Sequence, residues 1–472
     1  FFNADSTVYG KWMSGFDVLG FPVHISSKVS TTVAAGDLDG DNDKELVFGT
    51  EIGDLYVLNK DASQFMVFSQ NDQIVSYPVL YDFEESSELE ILFISKNDSI
   101  SSVHVIDILG EYLNGFPMMI EGDLSNGAAV TDMDLDGLGD IIVVTLDGVL
   151  YAIQDDGSIR PGFPIFLPSN VNTPVTLANM DEDINIEIIV GLEEGGIHIL
   201  NNDGSLMTNY EIEGASVDGG LSVADLDQDG SMEVVFNTDD HYLHVWEPES
   251  NSEIDGWPVH IGEISVTEPI IKDLNNDLNL EIINTTITGD IHIFNRDGSR
   301  YDNFPYISND STLFTPAVGD LDQDGDIEII VGTNNNLKVL DILDDLGEQY
   351  SWSTYRGNAH RDGFYDASQS YLKNEKEILP INFELRDNYP NPFNPSTKIT
   401  VSIDREMFMS LIIYDVAGRY IRTLFSEIIN SGESSVIWNG RDDHGKKVSS
   451  GIYFYELRSE MNTKAKKMVL IK

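Results

Sequence analysis

Short apolar runs separated by acidic loops and turns recur along the first three quarters of the chain, and one stretch shows the unit clearly. Residues 314–321 read as a short strand of small apolar residues, and an acidic loop follows. Then comes Ile327-Glu328-Ile329-Ile330-Val331-Gly332, a β-branched run closed by glycine, and after a turn Leu337-Lys338-Val339-Leu340. Such runs, bounded by Gly, Asn and Asp, predict strands. Other units add a hairpin turn, Asp156-Gly157, Asp203-Gly204 or Asp297-Gly298. A Gly-aromatic-Pro segment comes next: Gly20-Phe21-Pro22, Gly115-Phe116-Pro117, Gly162-Phe163-Pro164 or Gly256-Trp257-Pro258, with Asn303-Phe304-Pro305 as a variant. Proline cannot donate to a ladder, so this segment is expected to be an outer edge strand.

The acidic loops set the period. They begin at Asp37, Asp82, Asp132, Asn179, Asp225, Asp273 and Asp320, which are 45, 50, 47, 46, 48 and 47 residues apart. Four strands in roughly 47 residues make one propeller blade, whereas the coils of a β-solenoid are shorter and poorer in turns. The expected fold is all-β: a seven-bladed propeller over 1–365, a linker over 366–384 and a small Ig-like sandwich over 385–472. The first Gly-Phe-Pro precedes the first acidic loop and the last unit lacks one. The N-terminal strand is therefore expected to complete the final blade and close the ring, removing exposed edges. Residues 352–363 carry two arginines in an acidic body and read as a cap that ties the ring down. Strands of the second domain are expected at 398–403, 411–416, 435–438, 452–457 and 467–471.

Charge sharpens this division. The chain of 472 residues carries a net −54. From Leu385 onward there are 13 Lys+Arg and 10 Asp+Glu, a net of +3, which leaves −57 on residues 1–384, from 14 basic and 71 acidic side chains. Such a body does not attract nucleic acid or an anionic membrane surface. It is easiest to keep compact where salt screens self-repulsion. There is no cysteine, so disulfides and thiolate metal sites are excluded. No apolar stretch is long enough to span a membrane as a helix. The chain opens at Phe1 without a charged-then-apolar leader and reads as a processed form or fragment of a longer precursor.

The candidate chemistry lies in the loops. Oxygen-bearing side chains fall at offsets 1, 3, 5 and 9, where they crowd unless a hard cation sits between them. The sets are Asp37, Asp39, Asp41 and Glu45; Asp132, Asp134, Asp136 and Asp140; Asn179, Asp181, Asp183 and Glu187. Next are Asp225, Asp227, Asp229 and Glu233; Asp273, Asn275, Asp277 and Glu281; and Asp320, Asp322, Asp324 and Glu328. Offset 7 would lend a backbone carbonyl, from Asp43, Leu138, Asn185, Ser231, Asn279 or Asp326. The second loop, Asp82, Glu84, Ser86 and Glu90, lacks glycine and is the doubtful seventh site. About six Ca²⁺ sites of roughly 10⁻⁴ M affinity, in tenfold excess calcium, would contribute about 8 kcal/mol together. That is comparable to a domain's net stability, so calcium is expected to be structural.

Tyr56, His104, Tyr151, His198, His244, His292 and Lys338 share one register. They are expected to pack blade on blade rather than form a metal ring. There is no His-Glu-x-x-His, Gly-x-Ser-x-Gly or phosphate loop, and no catalytic residue is assigned.

The loops, such as Asp37-Leu38-Asp39-Gly40-Asp41 and Asp320-Leu321-Asp322-Gln323-Asp324-Gly325, each before an apolar strand, resemble FG-GAP/VCBS repeats over roughly residues 15–362. The resemblance implies integrin-α-like blades stiffened by calcium, with ligands bound on the opposite face. Residues 385–472 are similar to the type A sorting domain of the type IX secretion system. The resemblance is carried by Asn388-Tyr389-Pro390-Asn391-Pro392-Phe393-Asn394-Pro395, Tyr414-Asp415-Val416-Ala417-Gly418-Arg419, Trp438-Asn439-Gly440-Arg441-Asp442 and the ending Lys466-Lys467-Met468-Val469-Leu470-Ile471-Lys472. It implies export by that machinery to the surface or exterior of a Gram-negative, Bacteroidota-like bacterium. The expected role is a non-catalytic binding, adhesion or accessory module for a glycan or protein ligand, as part of a larger enzyme in one version. A lyase-like polysaccharide-degrading propeller and a structural surface or filament subunit are the alternatives.

Overall fold

The computed structural model describes residues 2–3, 7–8, 21–84, 86, 88–181, 183–308, 310–320, 326–333, 336–345, 352, 354–365, 383–386, 388–403, 407–415, 419–429, 432–442, 446–459 and 463–471. Among them there is no helix, and so none long and apolar enough to cross a membrane. The chain separates into two compact units, with the break between Lys373 and Asn374. The expected linker lies almost wholly outside the described residues.

The first unit is the propeller. Blade 1 is an antiparallel sheet of Ala34–Gly36, Glu45–Gly49, Asp54–Leu58 and Gln64–Ser69, in that order. The inner strands of the next six blades are Val79–Tyr81, Ala128–Thr131, Thr176–Ala178, Val217–Ala224, Ile270–Lys272 and Ala317–Gly319. Their second strands are Glu90–Asn97, Asp140–Val144, Glu187–Gly191, Glu233–Thr238, Glu281–Thr285 and Asp326–Gly332. In the first six blades the second strand starts at the offset-9 residue of the acidic loop, so the loop is anchored at both ends by sheet.

Second strands read as continuous apolar runs because both of their faces are covered. In blade 2, Ile91 and Phe93 pack with Val47 and Leu55 of blade 1, while Leu92 and Ile94 pack with Val130 and Ile141 of blade 3. The period of two sends alternate residues to opposite neighbours. Each such fully buried side chain contributes roughly 2 kcal/mol of transfer free energy.

The Gly-aromatic-Pro segments lead into outer strands as expected. Met118–Glu121, Ile165–Phe166 and Val259–His260 each follow the proline and pair with the third strand of their blade. The N-terminal segment differs from expectation. Among the described residues, Phe2–Asn3, Thr7–Val8 and Val23–His24 form their own three-stranded sheet and add no strand to the last blade, whose order is Ala317–Gly319, Asp326–Gly332, Leu337–Asp345. The reason is register. Val8↔Val23 and Thr7↔His24 reproduce the third-to-outer pairing Leu243↔Val259 and Tyr242↔His260 of blade 5, so the segment supplies a third strand of its own. Val8 and Phe21 pack against Phe48 and Tyr56 of blade 1.

Residues 352–365 line the inner strands. Backbone N–H groups of Ala35, Leu80, Val130, Leu177 and Ile271 donate to carbonyls of Ala359, His360, Asp362, Gly363 and Trp352 respectively, at 2.8–3.0 Å. One segment thereby joins the inner strands of blades 1, 2, 3, 4 and 6. At its centre Arg356, fully buried, pairs with buried Glu268 (Nη1 to Oε2, 3.4 Å). Glu268 Oε1 accepts from Trp352 Nε1 and from the Arg356 backbone N–H, both at 2.6 Å. Arg361 Nε donates to the Val33 carbonyl (3.0 Å). Both arginines of the predicted cap are therefore consumed by the fold.

The second unit is a two-sheet sandwich. One sheet is Phe383–Leu385, Thr397–Ile403, Gly432–Trp438; the other is Tyr420–Ile429, Met407–Asp415, Gly451–Ser459, Thr463–Leu470. Leu411, Trp438, Tyr455 and Met468 lie in a common buried core between them. All five expected strands are present. The strand Tyr420–Ile429 has no counterpart among them.

Candidate metal centres

The first six acidic loops share local rules. Offsets 4 and 6 take left-handed backbone in four loops: Gly40 and Asn42, Leu135 and Gly137, Gln228 and Gly230, Asn276 and Leu278. Two such residues in three reverse the chain tightly enough to turn offsets 1, 3 and 5 inward. Leu135 and Leu278 hold that conformation without being glycine, a strain of about 1 kcal/mol each.

The offset-9 side chain then staples the loop. One of its carboxylate oxygens accepts the backbone N–H of offset 2. Leu38 donates to Glu45 (2.9 Å), Phe83 to Glu90 (2.7 Å), Met133 to Asp140 (3.1 Å) and Met180 to Glu187 (2.8 Å). Leu226 donates to Glu233 (2.6 Å) and Leu274 to Glu281 (2.8 Å). The doubtful second loop keeps this staple, and Ser86 N–H donates to Asp82 (2.9 Å). The offset-7 residues Asp43, Leu138, Asn185, Ser231 and Asn279 donate their N–H to the offset-5 carboxylates, at 2.6–2.9 Å.

The structure brings the expected ligands together in groups. Oxygens of Asp37, Asp39 and Asp41, of Asp132, Asp134 and Asp136, of Asp181, Asp183 and Glu187, and of Asp225, Asp227 and Asp229 each lie within 4.8 Å of one another. A fifth group, Asp229, Glu233 and Glu247, contains a residue outside the loop pattern. Glu247 ends the third strand of blade 5, and the same place in other units holds Asn59, Gln154, Asn201 and Asn295. A polar residue where an apolar strand ends is the signal that could have found it. Asp273, Asn275, Asp277 and Asn279 hold the same turn by hydrogen bonds. In the seventh loop Asp320, Asp326 and Glu328 are described, while Asp322 and Asp324 lie outside the described residues.

The fifth loop tests the fit of a cation. Glu233 is fully buried; Oε2 is stapled to Leu226 and Oε1 has no hydrogen-bond partner. Burial pushes its carboxyl up to about 8, and the charges of Asp227 and Asp225 add to the shift. Glu187 and Glu90 are raised to about 7, again chiefly by burial. A buried carboxylate oxygen without a donor, beside three further acids, is expensive unless a positive charge meets it. The donor set is oxygen only, which suits Ca²⁺.

In the third loop a positive charge is already present. Arg160 Nη1 lies 2.9 Å from Asp140 Oδ2 and 3.3 Å from Asp134 Oδ2, and Nη2 donates to the Met133 carbonyl (3.3 Å).

The shared-register side chains of the third strands are stacked in the sheet. Tyr56, His104, Tyr151, His198, His244, His292 and Lys338 face Phe48, Phe93, Val143, Val190, Phe236, Asn284 and Val331. His104 stacks on Phe93 with ring centres 4.4 Å apart, and its nitrogens meet Ser95 Oγ (2.8 Å) and the Tyr112 hydroxyl (2.9 Å). His244 lies between Thr238 Oγ1 (3.1 Å) and Glu253 Oε1 (2.7 Å), a hydroxyl–imidazole–carboxylate row. Thr238 is fully buried, so no substrate reaches its hydroxyl.

The chain is thus a β-propeller joined to a β-sandwich tail. Residues 387–472 match the family described as the secretion system C-terminal sorting domain. That domain directs export through the type IX secretion system, to the cell surface or exterior in Bacteroidota-type bacteria. Among solved structures the chain is similar to Sqt1 of Saccharomyces cerevisiae, at 12% identity and a TM-score of 0.53, over 68% of this chain and 86% of that one. It is also similar to BamB of Moraxella catarrhalis, at 13% identity and a TM-score of 0.49, over 70% and 87%. The likeness to Sqt1 bears on the propeller fold alone. No curated protein matches the chain.

Proposed function

We propose that this protein is an exported, calcium-stabilised propeller of the FG-GAP/VCBS kind that acts at or beyond the cell surface as a non-catalytic recognition or adhesion module. The observation that carries the calcium reading is the Glu233 carboxylate oxygen, buried and without a donor inside a ring of acids. The ligands would be the offset 1, 3, 5 and 9 oxygens of the loops, the Arg160-paired third loop apart, and the ion would supply charge neutralisation and rigidity. Support for a non-catalytic role comes from the burial of Thr238 and His244 in the hydroxyl–imidazole–carboxylate row and of Arg356, and from the hydrogen bond that holds Arg361 to Val33. The ligand, a glycan or a protein, would meet the face away from the acidic loops. The sorting domain would be removed or retained as an anchor after export.

Calcium is tested by melting the protein in millimolar Ca²⁺ and in chelator. The calcium-free form should lose several kcal/mol, and elemental analysis should find several ions per chain. Unchanged melting with no bound metal refutes the reading. Recognition is tested on glycan and protein arrays, with release of ultraviolet-absorbing unsaturated uronates as the result that would favour a lyase instead.

A further inference from the structure

Two departures from the repeat coincide in blade 3. At offset 9 the other six loops have Glu45, Glu90, Glu187, Glu233, Glu281 and Glu328, whereas the third has Asp140, one methylene shorter. The second departure lies on the segment entering the outer strand. Leu113, Arg160, Ile254 and Tyr301 occupy one register, each donating its backbone N–H to the third strand, at Val105, Ala152, Val245 and Ile293. Leu113, Ile254 and Tyr301 pack into the apolar core of their blades. Arg160 alone is charged, and it turns into its own acidic loop. Its side chain is only 12% exposed and touches the offset-3 and offset-9 carboxylates and the offset-2 carbonyl.

The shortened acid and the long base are complementary. Asp140 is one methylene shorter than the sister glutamates, and Arg160 Nη1 reaches its Oδ2, the oxygen that also accepts the Met133 N–H. A divalent ion drawing on Asp134 and Asp140 would compete with Nη1 for the same two carboxylates and meet like charge within a few ångströms, which disfavours it strongly in a half-buried site.

We propose that Arg160 replaces the calcium ion of the third loop, so that blade 3 is closed by a covalently attached cation and stays closed when calcium falls. This rests on the calcium reading of the sister loops. It also differs from the sequence expectation that Asp132, Asp134, Asp136 and Asp140 form a full calcium site.

The test compares the full chain with Arg160→Leu, which restores the residue of blade 2, and with Arg160→Leu/Asp140→Glu, which restores the whole sister pattern. Bound calcium is counted by equilibrium dialysis, and crystals soaked in Ca²⁺ are inspected for anomalous signal in the third loop. The wild type should show no ion there. The double variant should bind one more ion per chain, with an affinity within about tenfold of the other loops. In chelator both variants should melt below the wild type, and saturating calcium should close the gap for the double variant. An ion in the wild-type third loop overturns the proposal, as does unchanged stoichiometry in a double variant that folds in calcium. If the wild type binds no calcium in any loop, the calcium reading itself fails, a result distinct from either of those.

Discussion

A histidine held between a phenylalanine ring and two hydroxyls is buried, and burial disfavours its protonated form. Burial lowers His104 to about 4 from the ordinary 6.5, and burial followed by the nearby Arg300 charge lowers His292 to about 4 as well. A folded-state value below the unfolded one means that the unfolded chain takes up the proton first. Stability is therefore complete above pH 6.5 and is lost as pH falls from there toward 4. Each histidine can account for at most about 3 kcal/mol of that loss. In saturating calcium, urea denaturation at pH 7 and pH 5 should show wild type losing more stability than His104→Gln, by 1–2 kcal/mol on the order of the shift. Carboxylate titration is common to both proteins and cancels in the difference. Equal losses would mean that His104 is already solvated or charged in the fold.

At the scale of elements, the segment over 352–365 shows what the repeat alone does not contain. The period of the loops, the β-branched second strands and the Gly-aromatic-Pro edges were all legible in sequence because each is set by residues close together in the chain. The third-strand register from Tyr56 to Lys338 was legible for the same reason. The buried Arg356–Glu268 pair was not: its partners are 88 residues apart, and Glu268 sits in an unremarkable Thr267-Glu268-Pro269 stretch. Glu247 and Arg160 were also missed, because their loops lie beside them in space and outside their own local pattern. The geometry makes the pair a test of the segment's role. Arg356→Met leaves Glu268 buried and charged, and should cost about 3–5 kcal/mol. Adding Glu268→Gln keeps an acceptor for Trp352 and the Arg356-position N–H while removing the charge, and should recover most of that loss by chemical denaturation. No recovery would show that Arg356 acts by packing, over the Tyr77 ring that lies 5.8 Å away, rather than by its charge.

At the scale of the whole molecule, the two units have separate cores and opposite net charge, so folding of the first and export through the second can be tested apart. A chain ending at Lys373 should melt as the propeller does in the full chain and remain in the periplasm of a type IX-secreting host, where the full chain is exported. Loss of folding on truncation would show that the sandwich is part of the propeller's stability. The charge carries a further consequence. Residues 1–384 bear −57, and even seven Ca²⁺ ions would offset only 14 of those charges. On the calcium reading, self-repulsion would remain with the loops filled and would be larger in chelator. Raising NaCl from about 0.05 to 1 M shortens the screening length from roughly 14 to 3 Å, below the spacing of most surface carboxylates. Melting temperature in chelator should rise steeply over that range, and the calcium-loaded protein should rise less. Choline chloride should act as NaCl does, because screening depends on ionic strength and not on the identity of a monovalent cation. A rise confined to NaCl would instead point to sodium occupying the loops, and a flat response would mean that the acidic surface is spread widely enough for repulsion to contribute little to stability.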